Sequence, residues 1–185
     1  MKRTLLDTEC WLWWHLAPER LGAAALALFE GRRSPLLLSA ASSWEIAIKT
    51  ALGKLELPAP ADRFVPEQLA EDGIDPLAIE HAHALRVARL PPHHSDPFDR
   101  LLVSQAQLER CAFLTADPQI LDYDVEVVWA GRLDRETQRG RRARDLLVLM
   151  NRVPSGPATR SPRAGCRRCA GARRAHRRPA PAEWS

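Results

Sequence analysis

Long apolar runs and paired cysteines are both scarce in this chain of 185 residues. No apolar run reaches the roughly 18 residues that a membrane-spanning helix needs, and the apolar stretch before Asp7 is too short for the core of a signal peptide. The sequence holds four cysteines, and two of them, Cys10 and Cys111, lie in apolar surroundings typical of ordinary buried thiols. These absences predict a cytoplasmic protein with neither a membrane anchor nor a disulfide framework.

Cysteine and histidine motifs for zinc are also lacking. Cys166 and Cys169 are spaced as half of a zinc site, but only His176 follows them, so a zinc centre is not expected. His93 and His94 are adjacent rather than at ligand spacing, and we interpret them as loop residues.

Charge is unevenly distributed along the chain. Residues 1–130 hold 12 basic and 19 acidic residues, a net charge of −7, whereas residues 131–185 hold 15 arginines and 4 acidic residues, a net charge of +11. The second segment is rich in Arg, Ala, Pro and Gly without periodicity. Such a segment cannot bury enough apolar area to offset the entropy cost of ordering the chain. We therefore predict a folded, acidic domain over 1–130 and a disordered, Arg-rich tail over 131–185.

Short apolar strands alternate with helical segments in the acidic part. The predicted strands cover 4–6, 36–38, 73–77, 112–115 and 125–129. Since strands that are apolar throughout are buried on both faces, the pattern predicts an α/β fold, with a mostly parallel sheet of about five strands between helices. In such sheets the functional site lies outside the carboxyl ends of the strands.

One stretch, Pro91–Leu102, is typical of a loop that runs into a helix. Pro97 suits the first helical position, which places Asp96 at the N-cap and Asp99 at the third position, near the positive end of the helix. A stripe at helical spacing follows, formed by Phe98, Leu101, Leu102, Gln105 and Leu108.

Five acids lie at strand ends or helix starts: Asp7, Glu45, Asp96, Asp99 and Asp117. Carboxylates that converge on one crevice stay ionised together at neutral pH only if a cation neutralises them. Oxygen ligands with little histidine or cysteine favour Mg²⁺ or Mn²⁺. Such an ion activates water and polarises phosphoryl oxygens, which suits phosphodiester hydrolysis.

Each acid also has a purely structural interpretation. Ser42 and Glu45 have the spacing of a capping box, Asp96 is a good N-cap, and Asp7 and Asp117 each suit the start of a turn. Similarly, Trp11, Trp13 and Trp14 offer surfaces for base stacking, although core packing is the favoured role. The sequence leaves the structural and functional interpretations of these acids open.

Longer motifs identify a family. Four segments resemble the PIN-domain ribonucleases over about residues 3–130, and most of all the VapC-type toxins of prokaryotic toxin–antitoxin pairs: Leu5-Leu6-Asp7-Thr8, Trp44-Glu45-Ile46-Ala47-Ile48-Lys49, His94-x-Asp96-Pro97-Phe98-Asp99-Arg100 and Leu114-Thr115-x-Asp117. The resemblance implies a PIN-like three-layer fold, Mg²⁺-dependent RNA cleavage, a VapB-type antitoxin as partner and a homodimer.

The resemblance also assigns roles to the acids. Those that match the metal-site positions are Asp7, Glu45, Asp99 and Asp117. Asp96 is a further candidate ligand, ranked below Asp99 because an N-cap side chain folds back on backbone amides. Ser39 or Thr115 is a candidate for an assisting role.

Two other functions compete with a nuclease toxin. A polybasic tail binds phosphates without sequence preference, which favours a non-catalytic protein that binds nucleic acid or sequesters an antitoxin. An aspartyl-phosphate phosphatase also places Asp after its first strand, but it needs a second Asp where this chain has Glu9. The sequence does not name the RNA.

Overall fold

The computed structural model describes residues 2–31 and 34–132. The strands of this part are β1 (Thr4–Leu6), β2 (Leu36–Ser39), β3 (Asp75–Leu77), β4 (Ala112–Thr115) and β5 (Glu126–Trp129). Its α-helices are α1 (Thr8–Leu16), α2 (Ala23–Gly31), α3 (Ala40–Ala51), α4 (Ala61–Asp72), α5 (His81–Arg86) and α6 (Pro97–Leu108). Short 3₁₀ helices cover Pro18–Arg20, Val87–Arg89 and Pro118–Asp122. None of the helices in these residues is long and apolar enough to cross a membrane.

The five strands form one parallel sheet in the order β3-β2-β1-β4-β5, which confirms the predicted fold class. The chain runs outward from β1 through β2 to β3, then returns and continues on the other side of β1 through β4 to β5. The direction of winding therefore reverses between β1 and β4. In open α/β sheets, the crevice beyond the carboxyl ends of the strands at such a reversal is the usual ligand site.

Helices cover both faces of the sheet, as predicted. On one face, Leu6, Leu38 and Leu114 are in register and pack with residues of α1, α2 and α4. On the other face, Leu5, Leu37 and Phe113 pack mainly with α6. Burying each such side chain contributes roughly 1.5–3 kcal/mol, so the short strands at the centre are held mainly by their side chains.

The buried side of α6 differs from the predicted stripe. Leu102 and Gln105 are buried as expected, but Leu108 is 44% exposed, and Val103 and Ala106 are buried instead. The prediction was wrong at Leu108 because the helix presents the side centred on residues 102, 103 and 106 to the sheet.

The predicted roles of the buried cysteines and tryptophans are confirmed. Cys10 and Cys111 are free, buried thiols. Trp11 is fully buried, and Trp14 stacks on Phe29 with ring centroids 4.8 Å apart.

A close backbone contact ties α2 to the end of β5. The Gly22 N–H donates to the Ala130 carbonyl at 2.8 Å, and a Cβ at position 22 would lie 2.4 Å from the Gly131 oxygen. Position 22 therefore requires glycine. The predicted boundary after residue 130 stays a prediction, since residues 133–185 lie outside the described part of the chain.

Candidate functional site

Asp7 and Asp117 lie at the carboxyl ends of the neighbouring strands β1 and β4. Asp7 caps α1 by accepting the Glu9 N–H at 3.0 Å, and Asp117 caps a 3₁₀ helix by accepting the Gln119 N–H at 2.7 Å. Both acids therefore have the structural role that the sequence offered. Each of these bonds uses only one oxygen of the carboxylate, Oδ1, and leaves Oδ2 for another partner.

Thr115 connects these two acids. Its hydroxyl donates to Asp7 Oδ2 at 2.5 Å, and its Oγ1 accepts the Asp117 N–H at 3.1 Å. Ser39, the other candidate for an assisting role, donates instead to Gln105 Oε1 at 2.6 Å and caps α3. Of the two hydroxyls, only that of Thr115 touches an acid of the site.

Glu45 has no capping role. The predicted capping box with Ser42 is wrong because α3 begins three residues earlier, with Ser39 as the N-cap that accepts the Ala41 N–H at 2.9 Å. Glu45 therefore lies in the second turn of α3, where its Oε1 accepts a hydrogen bond from Lys49 Nζ at 2.5 Å. Burial lowers the pKa of Lys49, but its bond to Glu45 and the surrounding negative charge outweigh that effect and raise it.

The start of α6 is as predicted. Asp96 is the N-cap, and its Oδ1 accepts the Phe98 N–H at 2.7 Å, while Pro97 and Asp99 occupy the first and third helical positions. Asp96 thus turns back on the backbone. Asp99 instead faces the other acids, and burial together with the negative charge of Asp7 raises its pKa to about 7.

His94 joins this cluster, a role that sequence reasoning missed by treating it only as a loop residue. Its Nε2 lies 2.8 Å from Asp117 Oδ2 and 3.3 Å from Asp99 Oδ2. Its Nδ1 accepts the backbone N–H of Asp96 at 3.0 Å. Since Nδ1 acts as the acceptor, the ring carries its proton on Nε2 and donates it to the carboxylates. The spacing of His94, two residues before an N-cap, is the sequence signal that points to this arrangement.

Arg100 fixes the loop that carries His94. Its guanidinium donates to the carbonyls of Pro91 at 2.8 Å and Val87 at 3.0 Å, and it also reaches the His94 carbonyl. The hydroxyl of Tyr123 accepts from both Arg100 and the His94 N–H. A planar donor with five N–H groups is well suited to gather several acceptors in this way.

The buried acids of the site are short of positive charge. Asp7 is nearly inaccessible, and burial raises its pKa to about 6, although the hydrogen bond from Thr115 opposes the rise. Glu45 adds negative charge near both Asp7 and Asp99, and among the site residues only His94 lowers the pKa of Asp99. Ionisation of this cluster is costly by itself, and a bound cation would remove much of that cost.

The donor set fits a hard divalent cation. Within the described residues, one ligand atom each from His94, Asp99 and Asp117 lie within 4.8 Å of one another. With its proton on Nε2, His94 serves these carboxylates as a donor rather than as a ligand. The donors that remain are carboxylate oxygens, which suit hard divalent cations better than zinc.

Comparison with known proteins identifies a family for the chain. The PIN domain family model matches residues 4–126. A stretch of 68 residues is 46% identical to Ribonuclease VapC16 of Mycobacterium tuberculosis (strain ATCC 25618 / H37Rv). That stretch covers 35% of this chain and 48% of the relative, so the chain spans about half the length of the curated relative that it matches.

Solved structures share the fold. VapBC2 from Rickettsia felis bound to a promoter DNA fragment matches with a TM-score of 0.53 and 12% identity, over 69% of this chain and 98% of that one. DNA-bound VapBC from Salmonella typhimurium matches with a TM-score of 0.51 and 13% identity, over 70% and 98%. At such identities the likeness concerns the fold alone. Because the family model spans nearly all of the described strands and helices, this chain belongs to the PIN domain family.

Proposed function

We propose that this protein is a metal-dependent endoribonuclease and the toxin of a toxin–antitoxin pair. The observation that carries the proposal is the cluster that Asp99 and Asp117 form with His94 at the reversal point of the sheet. Burial raises the pKa of both Asp7 and Asp99, and Asp7 is near enough that its negative charge raises the pKa of Asp99 further. Membership of the PIN domain family and the partial match to a protein named as a ribonuclease support it.

The proposed metal ligands are Asp7, Glu45, Asp99 and Asp117. When bound to them, Mg²⁺ or Mn²⁺ lowers the pKa of a coordinated water and polarises a phosphoryl oxygen of the RNA. Asp96 is proposed as a helix cap rather than as a ligand. Asp7 and Asp117 also cap helices, but a side chain of the site holds the second carboxylate oxygen of each, whereas Asp96 bonds to the Phe98 N–H of its own helix.

The remaining side chains of the site would orient the ligands. The Thr115 hydroxyl holds Asp7 Oδ2, and His94 keeps a proton on Nε2, directed at Asp117 and Asp99. Lys49 holds the carboxylate of Glu45. Partners that fix the direction of a metal ligand affect activity by about 10- to 100-fold in other metal sites.

The proposed partners are an RNA substrate, a VapB-type antitoxin and a second copy of the chain. The antitoxin proposal draws on the VapBC complexes among the solved structures that share the fold. The two free, buried thiols are compatible with the proposed cytoplasmic location. A non-catalytic binding protein would have no use for buried acids that are costly to ionise, which makes that alternative less favoured.

RNA cleavage with and without metal tests the proposal. The full chain should cut single-stranded RNA in Mg²⁺ and stop cutting when EDTA is added. Asp99→Asn should lose this activity, whereas Asp62→Asn, which changes an exposed acid in the first turn of α4, should keep it. Cleavage that persists in EDTA, or an Asp99→Asn protein as active as the wild type, would contradict the proposed metal centre.

A further inference from the structure

An aromatic pair, in which Trp44 is exposed and Phe98 is half-buried, links two helices that carry acids of the site. Trp44 immediately precedes Glu45 in α3, and Phe98 immediately precedes Asp99 in α6. Their ring centroids are 5.1 Å apart and their planes are inclined by 66°, an edge-to-face contact between the two helices. The contact therefore joins the two helix segments that also carry Glu45 and Asp99.

Trp44 differs from the other tryptophans of the described residues. Its side chain is 58% exposed, whereas Trp11 is fully buried, Trp14 stacks on Phe29, and Trp13 is covered by the guanidinium of Arg20. A large aromatic ring left in water gives up much of its possible burial energy. Aromatic side chains are enriched where proteins bind other molecules, because one ring offers a large, rigid contact area.

We propose that Trp44, held by Phe98, is a stacking site for an unpaired nucleobase of the RNA that the acids cut. This inference rests on the proposed function and adds that the base bound at Trp44 must be unpaired. Every base offers a π-face to an aromatic side chain, so stacking tolerates any sequence but requires bases that are not enclosed in a duplex.

The charge of the surroundings favours a base over a phosphate at this position. Glu45, Asp96 and Asp99 lie on the same two helix ends as the pair and act on one another electrostatically, and the cation Lys49 is already paired with Glu45. A phosphate that approached without a metal ion would be repelled, whereas the uncharged face of a base would not. The stacked base would then belong to a nucleotide near the phosphate that reaches the acids.

A second copy of the chain is the competing occupant of this face. Leu52, just after the end of α3, is 63% exposed and lies eight residues, or about two turns, beyond Trp44. A protein that packed along α3 would bury both side chains, whereas a stacked base needs only the ring. Leu52→Ala is therefore the matched control for Trp44→Ala.

The test measures RNA binding without cleavage. In full-length protein carrying Asp99→Asn, at a salt concentration that suppresses backbone contacts, fluorescence anisotropy would follow a labelled, unpaired oligonucleotide and the same sequence in a duplex. Trp44→Ala should weaken binding of the unpaired strand about tenfold, with little change for the duplex. Trp44→Phe should restore most of the affinity, and Leu52→Ala should leave it unchanged.

Two results would overturn the stacking site. One is equal affinity of Trp44→Ala and the parent protein for the unpaired strand. The other is equal loss in Trp44→Ala and Leu52→Ala together with a fall in mass by light scattering, which would assign this face to a second copy.

Cleavage by otherwise wild-type protein separates this inference from the proposed function. Trp44→Ala should raise KM about tenfold and leave kcat within about twofold. If the wild type fails to cut RNA but Trp44→Ala still loses affinity for the unpaired strand, the nuclease is wrong and the stacking site stands. If cleavage depends on Asp99 but Trp44→Ala changes neither KM nor affinity for the unpaired strand, the nuclease stands and the stacking site is wrong.

Discussion

Asp7 and Asp117 lie at two ends of the site. Their local backbone structure is the same, but their surroundings differ. Each follows a central strand, caps the next helix and accepts the N–H two residues ahead. Asp7 is buried and receives the Thr115 hydroxyl, whereas Asp117 is about a quarter exposed and receives the proton of His94. The comparison teaches that capping and site chemistry are not alternatives, because they use different oxygens of one carboxylate.

Removing the charge of Asp7 or of Asp117 should have the largest effect on RNA cleavage. Asp7→Asn and Asp117→Asn should each lower Mg²⁺-dependent RNA cleavage by about a hundredfold or more, since even residues that only orient metal ligands affect activity by 10- to 100-fold. Asn caps helices as well as Asp, so both proteins should fold. The measurement is the initial rate of RNA cleavage by each variant, with Asp62→Asn as the control. If the Asp117→Asn protein stays active, Asp117 is not a metal ligand, and the ligands lie at the end of the site that holds Asp7.

The buried end should make stability depend on pH when it is measured without metal. The pKa of Asp7 in the folded protein, about 6, lies above its ordinary value of 3.8, so the folded state holds the proton more tightly than the unfolded chain does. The contribution of Asp7 to stability is therefore greatest below about pH 4 and is lost as the pH rises through 6.

Since one pKa unit corresponds to about 1.4 kcal/mol, Asp7→Asn should stabilise the metal-free protein at pH 8 by on the order of 3 kcal/mol, and by much less at pH 4.5. Asp117→Asn should give no such gain, because it removes the partner of His94. Urea unfolding in EDTA at both pH values measures this. A gain for Asp7→Asn that is the same at both pH values would contradict the assignment of burial as the cause.

Removing the partner of each acid should have an intermediate effect. Thr115→Val deletes a bond that lowers the pKa of Asp7, and His94→Ala deletes the imidazole whose interaction lowers the pKa of Asp99. Both changes should reduce cleavage by roughly tenfold and move the acid limb of the pH–rate profile to higher pH. The matched control is Thr50→Val, whose hydroxyl bonds only to carbonyls of its own helix. Profiles that coincide with the wild type would mean that these partners do not tune the acids.

Asp96 should matter least. Asp96→Ser should keep cleavage within about threefold of the wild type, because Ser replaces the cap almost fully, and His94 is held by the backbone rather than by the side chain of residue 96. Asp96→Ala should cost about 1 kcal/mol of stability through the lost cap. If cleavage by a folded Asp96→Ser protein falls as far as in Asp99→Asn, Asp96 is a ligand and our ranking of the pair is wrong.

Features set by local sequence were predicted well. Asp7 and Asp117 were placed at strand ends, and Asp99 at the third position of α6, because apolar runs and Pro97 mark those boundaries. The start of α3 was misplaced because Ser39 and Ser42 are equally good caps by type, and the chain enters the helix directly from β2 without a loop.

Contacts made by tertiary folding were not predictable in the same way. The hydroxyl that bonds to Asp7 lies 108 residues away, and the histidine that bonds to Asp117 lies 23 residues away. The exposure of Trp44 likewise depends on how α3 and α6 meet. The assignment of the acids as ligands stays a prediction until the variants are measured.

Arg100 gives this arrangement a further property. The loop that carries His94 is held by hydrogen bonds from the Arg100 guanidinium. This group keeps its charge at any pH where the protein is folded. Asp7 and Asp99, in contrast, gain protons near neutrality. A drop toward pH 5 should therefore protonate both acids of the metal-free site while the loop stays anchored. Mild acid should act as a reversible off state, from which activity returns on neutralisation without refolding.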